Sequence, residues 1–145
     1  MKKTLQSGLV AGVVLSILSY GGLFLAVNST LFNSFFAEYL SSVFVSDSSR
    51  DFLFYTHAMV ISFALAWFWE RFKPLFKGNN LLRGLEFGTV YTLVALLPIL
   101  WMTYSQIDVS VLMVLSWLGF GWFQSTVAGV IFAKMNPEGQ LTYWL

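Results

Sequence analysis

Four long apolar runs divide the chain, at about 7–27, 52–69, 82–104 and 109–133, with polar stretches between them. A helix crossing the hydrocarbon core of a bilayer needs about 20 mostly apolar residues, each rising about 1.5 Å. Each run is close to that length. Strands of a membrane barrel would be about ten residues long and strictly alternating, whereas these runs are longer and continuously apolar. Within lipid the backbone must satisfy its own hydrogen bonds, which leaves helices. The pattern predicts an all-α protein: an integral membrane four-helix bundle, one transmembrane domain over residues 1–145.

The stretch between the first two runs has a period of its own. Leu31-Phe32, Phe35-Phe36, Tyr39-Leu40 and Val43-Phe44 recur every four residues, while Asn33, Ser34, Ala37, Glu38 and Ser41 fill the gaps. On a helix the apolar pairs cover about half the circumference. This predicts an amphipathic interfacial helix at about 31–45 in the first outer loop, lying on the leaflet or capping the bundle. The polar run Ser46-Asp47-Ser48-Ser49 breaks it and offers caps for the second spanning helix. Near the C-terminus, Pro137 stops the fourth helix. Pro98 is expected to kink the third by freeing the carbonyl of Val94.

Composition narrows the reading. Only 10% of residues are charged, against about a quarter in a soluble domain. The chain has no Cys, which removes disulfides and thiolate chemistry, and a single His, which removes a multi-histidine metal site within one chain. The net charge of +1 gives no basic face for a nucleic acid. No P-loop, dinucleotide fingerprint, zinc-protease motif or nucleophile–base pair is present, so no enzyme, cofactor or metal is expected.

Charge placement predicts orientation. Lys2 and Lys3 precede the first run, Arg71, Lys73, Lys77 and Arg83 occupy the second loop, and Lys134 ends the fourth run. The first loop carries Glu38, Asp47 and Asp51 against Arg50, and the third loop carries Asp108. Basic flanks mark the cytoplasmic side, so both termini are expected in the cytoplasm. The start resembles a secretory signal, but its apolar run is long enough to span and is expected to stay. Trp67 and Trp69 are expected as anchors at the inner face, Trp101 and Tyr104 at the outer face, and Tyr143 and Trp144 along the inner headgroups.

Small residues recur every four positions on each helix: Gly8, Gly12 and Ser16; Ala58, Ser62 and Ala66; Gly84, Gly88 and Thr92; Gly121, Ser125, Gly129 and Ala133. Such ridges let backbones approach where lipid offers no hydrophobic drive to associate. The motifs Gly8–Gly12 and Gly84–Gly88, each following basic residues, also suggest two tandem helical hairpins, on few matching positions.

Polar groups inside the runs are few. Glu86 lies one turn inside the third helix, with Arg83 at i−3, and with Lys134, Glu70 and Arg71 at similar depth. It is either part of an ion-pair cluster fixing helix ends or a proton- or cation-binding carboxylate. His57 and Gln124 read as interhelical hydrogen-bonding groups, or alternatively as ligand contacts. Trp117 and Trp122, near mid-depth, pack in the bundle or line an apolar pocket.

With Gly8 and Gly12 on the first helix, a basic loop from Arg71 to Arg83, Gly84 and Gly88 on the third and Gly129 on the fourth, the chain resembles the small four-span membrane proteins of unknown function common in bacteria. The resemblance covers most of the chain and implies a multi-pass protein of the bacterial inner membrane. It brings no catalytic or binding residue. The expected function is association with other membrane subunits or with itself, as an accessory or stabilising subunit. The alternatives are a small oligomeric transporter or channel using Glu86, and a lipid or apolar-ligand binder.

Overall fold

A computed structural model describes residues 2–28, 38 and 48–137, and the described residues form helices joined by turns. The amphipathic helix expected at 31–45, Glu38 apart, and the aromatic pair Tyr143 and Trp144 lie outside the described residues. Four helices carry the fold. Helix α1 is Lys2–Asn28 and α2 is Asp51–Phe72. Helix α3 runs Asn80–Gln106, and α4 is Val111–Met135. Three stretches, Lys2–Phe24, Asn80–Gln106 and Val111–Met135, are long and apolar enough to cross a membrane.

The helices extend past several of the apolar runs because an apolar count measures hydrocarbon thickness, whereas a helix continues until a cap or a breaker. Helix α3 begins where the Asn79 side chain accepts the Leu82 N–H at 2.9 Å, after Gly78 turns at φ 98°. Helix α4 begins where Ser110 Oγ accepts the Met113 N–H at 3.1 Å. That same hydroxyl donates to Glu38 at 2.6 Å, as does the Ser110 N–H. The side-chain and backbone hydrogen bonds from Ser110 hold the Glu38 carboxyl below its ordinary range. A 3₁₀ turn, Ser48–Arg50, leads into α2, and Arg50, in the cap position, makes no side-chain cap hydrogen bond. Ser46 and Asp47 of the expected capping run lie outside the described residues.

Pro98 acts through the turn before it. Residues Thr92–Leu96 form a π-turn, and the Leu97 N–H reaches the Thr92 carbonyl. An inserted residue shifts the register just where the proline ring would meet the Val94 carbonyl, so a π-bulge accommodates the proline where the sequence predicts a kink.

Small residues set the helix pairs. A Cβ on Gly8 would lie 3.2 Å from Ala66 Cβ, and one on Gly12 would press on Met59 and Ser62, so α1 and α2 meet along these ridges. On α3 and α4 the approach is closer. A Cβ on Gly88 would lie 2.7 Å from the Thr126 nitrogen, and one on Gly129 would lie 2.9 Å from Gly84 Cα. Helix α4 also packs on α1 and, more lightly, on α2. The core gathers at one end, where Trp69, Phe87 and Phe132 are fully buried and Phe76 stacks on Trp69 at 5.5 Å. Trp69 is therefore a core residue and not the interfacial anchor expected of it. Trp67 is exposed beneath the Arg71 guanidinium, 5.2 Å from its ring. Trp101 and Tyr104 are exposed at the far end of α3.

The two halves of α3 differ. The first half buries Arg83, Gly84, Phe87 and Gly88, while Leu97–Gln106 buries no residue. Between α2 and α3 an apolar groove of about 350 Å³ opens beside the π-turn, walled by Leu65, Trp67 and Phe68 on one side and Tyr91 and Val94 on the other.

Candidate functional site

The chain brings the start of α1 and the ends of α2 and α4 to one end of the molecule. The apolar run of α2 ends at Trp69, and the next residue is Glu70, one turn before Lys73. Lys73 Nζ donates to Glu70 Oε1 at 2.9 Å, the i, i+3 spacing of a helical ion pair. Thr4 on α1 donates to Glu70 Oε2 at 3.0 Å. Asn136, the residue that ends α4, donates to the same oxygen at 2.6 Å and accepts from Lys73 at 3.2 Å. The Asn136 backbone carbonyl accepts the Trp69 indole N–H at 3.0 Å. One carboxylate thus ties three helices together.

Burial works against the charge on Glu70. The hydrogen bonds from Lys73, Asn136 and Thr4, with the Lys73 charge, outweigh it and hold the carboxyl at about 2, against its ordinary 4.5. A depressed folded value means the stabilisation is fully present above about 4.5 and is lost as pH falls through about 2. Thermal unfolding in detergent is expected to show this acid limb, and Glu70→Gln is expected to flatten it. An unchanged limb in the variant would place the acid sensitivity elsewhere.

Arg83 sits behind this cluster. It is buried, its Nε donates to the Phe76 carbonyl at 3.1 Å, and a terminal nitrogen donates to the Lys73 carbonyl at 3.2 Å. The guanidinium lies 5.0 Å from the Trp69 ring. It locks the α2–α3 loop onto the core.

The ion-pair cluster expected around Glu86 is not assembled. Glu86 and Lys134 are both exposed, and neither has a hydrogen bond or ion pair among the described residues. Arg83, three residues before Glu86, turns away to the loop. The reason is competition: two loop carbonyls and an aromatic face offer a buried guanidinium more than one exposed carboxylate. Glu70, expected only as a neighbour of Glu86, is the hub. The helical spacing of Glu70 and Lys73 was the available signal. Nothing local pointed to Thr4 or Asn136.

The remaining candidates are dispersed. Gln124 is buried in α4 and donates to Ser19 Oγ on α1 at 2.9 Å. Trp122 donates to Thr89 Oγ1 on α3 at 3.1 Å, and Trp117 is half-buried. Ser125 donates to the Gly121 carbonyl at 2.8 Å, within its own helix. His57 is exposed on α2 near Tyr55, whose carbonyl accepts the Tyr20 hydroxyl at 2.9 Å.

Between Lys2, Lys3 and Thr4 on one side and Glu70, Lys73, Asn136 and Pro137 on the other lies a polar cleft of about 280 Å³. Comparison with protein-family models, curated proteins and solved structures yields no match.

Proposed function

We propose that the chain is a non-enzymatic integral membrane protein, a four-helix bundle that works by association as an accessory or stabilising subunit of a larger membrane complex. In this reading the basic end, with Lys2, Lys3, Arg71, Lys73, Lys77, Arg83 and Lys134, faces the cytoplasm and holds both termini. The observation that carries the reading is the second half of α3. Leu97–Gln106 buries no side chain although it presents Leu97, Ile99, Trp101 and Met102. The glycines Gly8, Gly84, Gly88 and Gly129 are already used inside the chain, and this half-helix, which has no buried residue, is a length that a partner can cover.

The reading further rests on how the intramembrane polar groups are used. Gln124 bonds Ser19 and Trp122 bonds Thr89, each as a helix-to-helix pair. Such pairs are worth on the order of 0.6 kcal/mol in a membrane interior and act as glue.

The test is purification in mild detergent after crosslinking in the membrane through a photoreactive residue at Met102. A stoichiometric adduct with one membrane subunit is expected at Met102, and none at Leu9, an exposed residue of α1. A monodisperse particle containing one copy of this chain, with no adduct at Met102, would overturn the reading.

A further inference from the structure

The polar cleft at the basic end carries a surplus of positive charge. Three of its lining groups are ammoniums, from Lys2, Lys3 and Lys73, and one is a carboxylate, from Glu70. Glu70 is already occupied by Lys73, Thr4 and Asn136. Lys2 and Lys3 are exposed and make no hydrogen bond or ion pair among the described residues. Among the described residues the cleft is therefore left with two ammonium groups that have no paired carboxylate.

Its size and setting narrow the ligand. At about 280 Å³ it falls just below the roughly 300 Å³ at which pockets enclose a whole small molecule. A headgroup fits that volume better than a complete ligand. Lys2, Leu5 and Leu9 follow the i, i+3, i+7 spacing of one helix face, and both leucines are exposed. A phosphate held at Lys2 would thus continue into an apolar strip that acyl chains can cover. Basic pockets between helix ends at the headgroup level are suited to anionic lipids.

We propose that this cleft binds the phosphate of an anionic lipid headgroup, held by Lys2 and Lys3 with Thr4 and Asn136 at its wall and the acyl chains along Leu5 and Leu9. The chemistry recognised is a phosphate ester anion, and the lipid is its source. The proposal rests on the chain spanning a membrane and is independent of whether it has a protein partner.

The test is native mass spectrometry of the full chain in mild detergent, titrated with phosphatidylglycerol and, separately, with phosphatidylcholine. Wild type is expected to retain one phosphatidylglycerol per chain and to prefer it to phosphatidylcholine. The double variant Lys2→Gln/Lys3→Gln is expected to lose affinity about thirtyfold, since each basic residue near the headgroups contributes about fivefold. Lys77→Gln/Lys134→Gln removes two exposed charges from the same end and is expected to retain the lipid. Equal retention of both lipids, unchanged retention by Lys2→Gln/Lys3→Gln, or equal loss in the two double variants would overturn the proposal, the last by showing diffuse attraction. Excess inorganic phosphate added to the lipid-loaded chain separates the sources. Retained lipid supports a lipid site, and full displacement would overturn it in favour of a soluble phosphate. Unchanged melting and elution of each variant separate loss of binding from loss of the fold.

Discussion

Replacing Gly88 with leucine is expected to destabilise the protein by about 3 kcal/mol or more, the upper end of what overpacking costs. The α3–α4 crossing has no room for a side chain there. The first carbon would lie 2.7 Å from the Thr126 nitrogen and 2.9 Å from its Cα. These are backbone atoms of a helix, so they cannot swing aside as a side-chain tip can. Helix α4 would have to move outward along its length. That would also open the contacts made by Gly84 and Gly129 and separate Phe87 from Phe132, whose rings lie 6.0 Å apart. Gly21 and Gly119, with nothing within 4 Å, supply the controls. Leucine at either is expected to cause no loss of stability and to add at most about 1 kcal/mol, the helix-propensity gain over glycine. Thermal or denaturant unfolding in detergent distinguishes the two groups. Equal effects at Gly88 and Gly119 would mean that α3 and α4 do not cross at this point.

Arg83→Ala is expected to cost about 4 kcal/mol or more. Hydrogen bonds from a charged donor contribute about 1.5–3 kcal/mol each, and the stacking on Trp69 adds on the order of 1 kcal/mol. The loss leaves the Phe76 carbonyl, on a buried residue, without its donor and frees the loop between α2 and α3. Arg83→Lys keeps the charge but not the planar fork that serves two carbonyls while lying over a ring. It is expected to recover less than half of the loss. Full recovery by lysine would mean that charge alone matters at this position. Protease sensitivity of the 73–79 loop gives a second readout, expected to rise in both variants.

Glu70 and Glu86 show how far local spacing reaches. Both are single carboxylates near the basic ends of helices, and both have a basic residue at i±3. Glu86 with Arg83 has the same sequence separation as Glu70 with Lys73, so spacing alone ranks them equally. They part because of what each basic side chain meets elsewhere. Arg83 finds the carbonyls of Lys73 and Phe76 and the Trp69 ring. Lys73 finds Asn136, which arrives from the end of α4 and joins the same carboxylate. Trp69 teaches a similar lesson. Its place beside charged residues reads as a headgroup anchor, yet the turn toward Phe76, Phe87 and Phe132 buries it completely.

What the amino-acid order determined by itself was local and periodic. Apolar runs of spanning length made helices, because backbone in lipid has no other way to satisfy its hydrogen bonds. Glycine and small residues every four positions marked faces where helices can meet. Asn79, Ser110 and Pro137 lie at helix ends because their side chains or ring act within one turn. Only the tertiary structure decided which ridge meets which, so that Gly84 and Gly88 face Thr126 and Gly129 while Gly8 and Gly12 face α2. It also decided that Thr4, Glu70, Lys73 and Asn136 form one cluster. Those residues lie up to 132 positions apart, from Thr4 to Asn136. Their meeting depends on helix length, crossing and the π-turn in α3, none of which a residue's near neighbours encode.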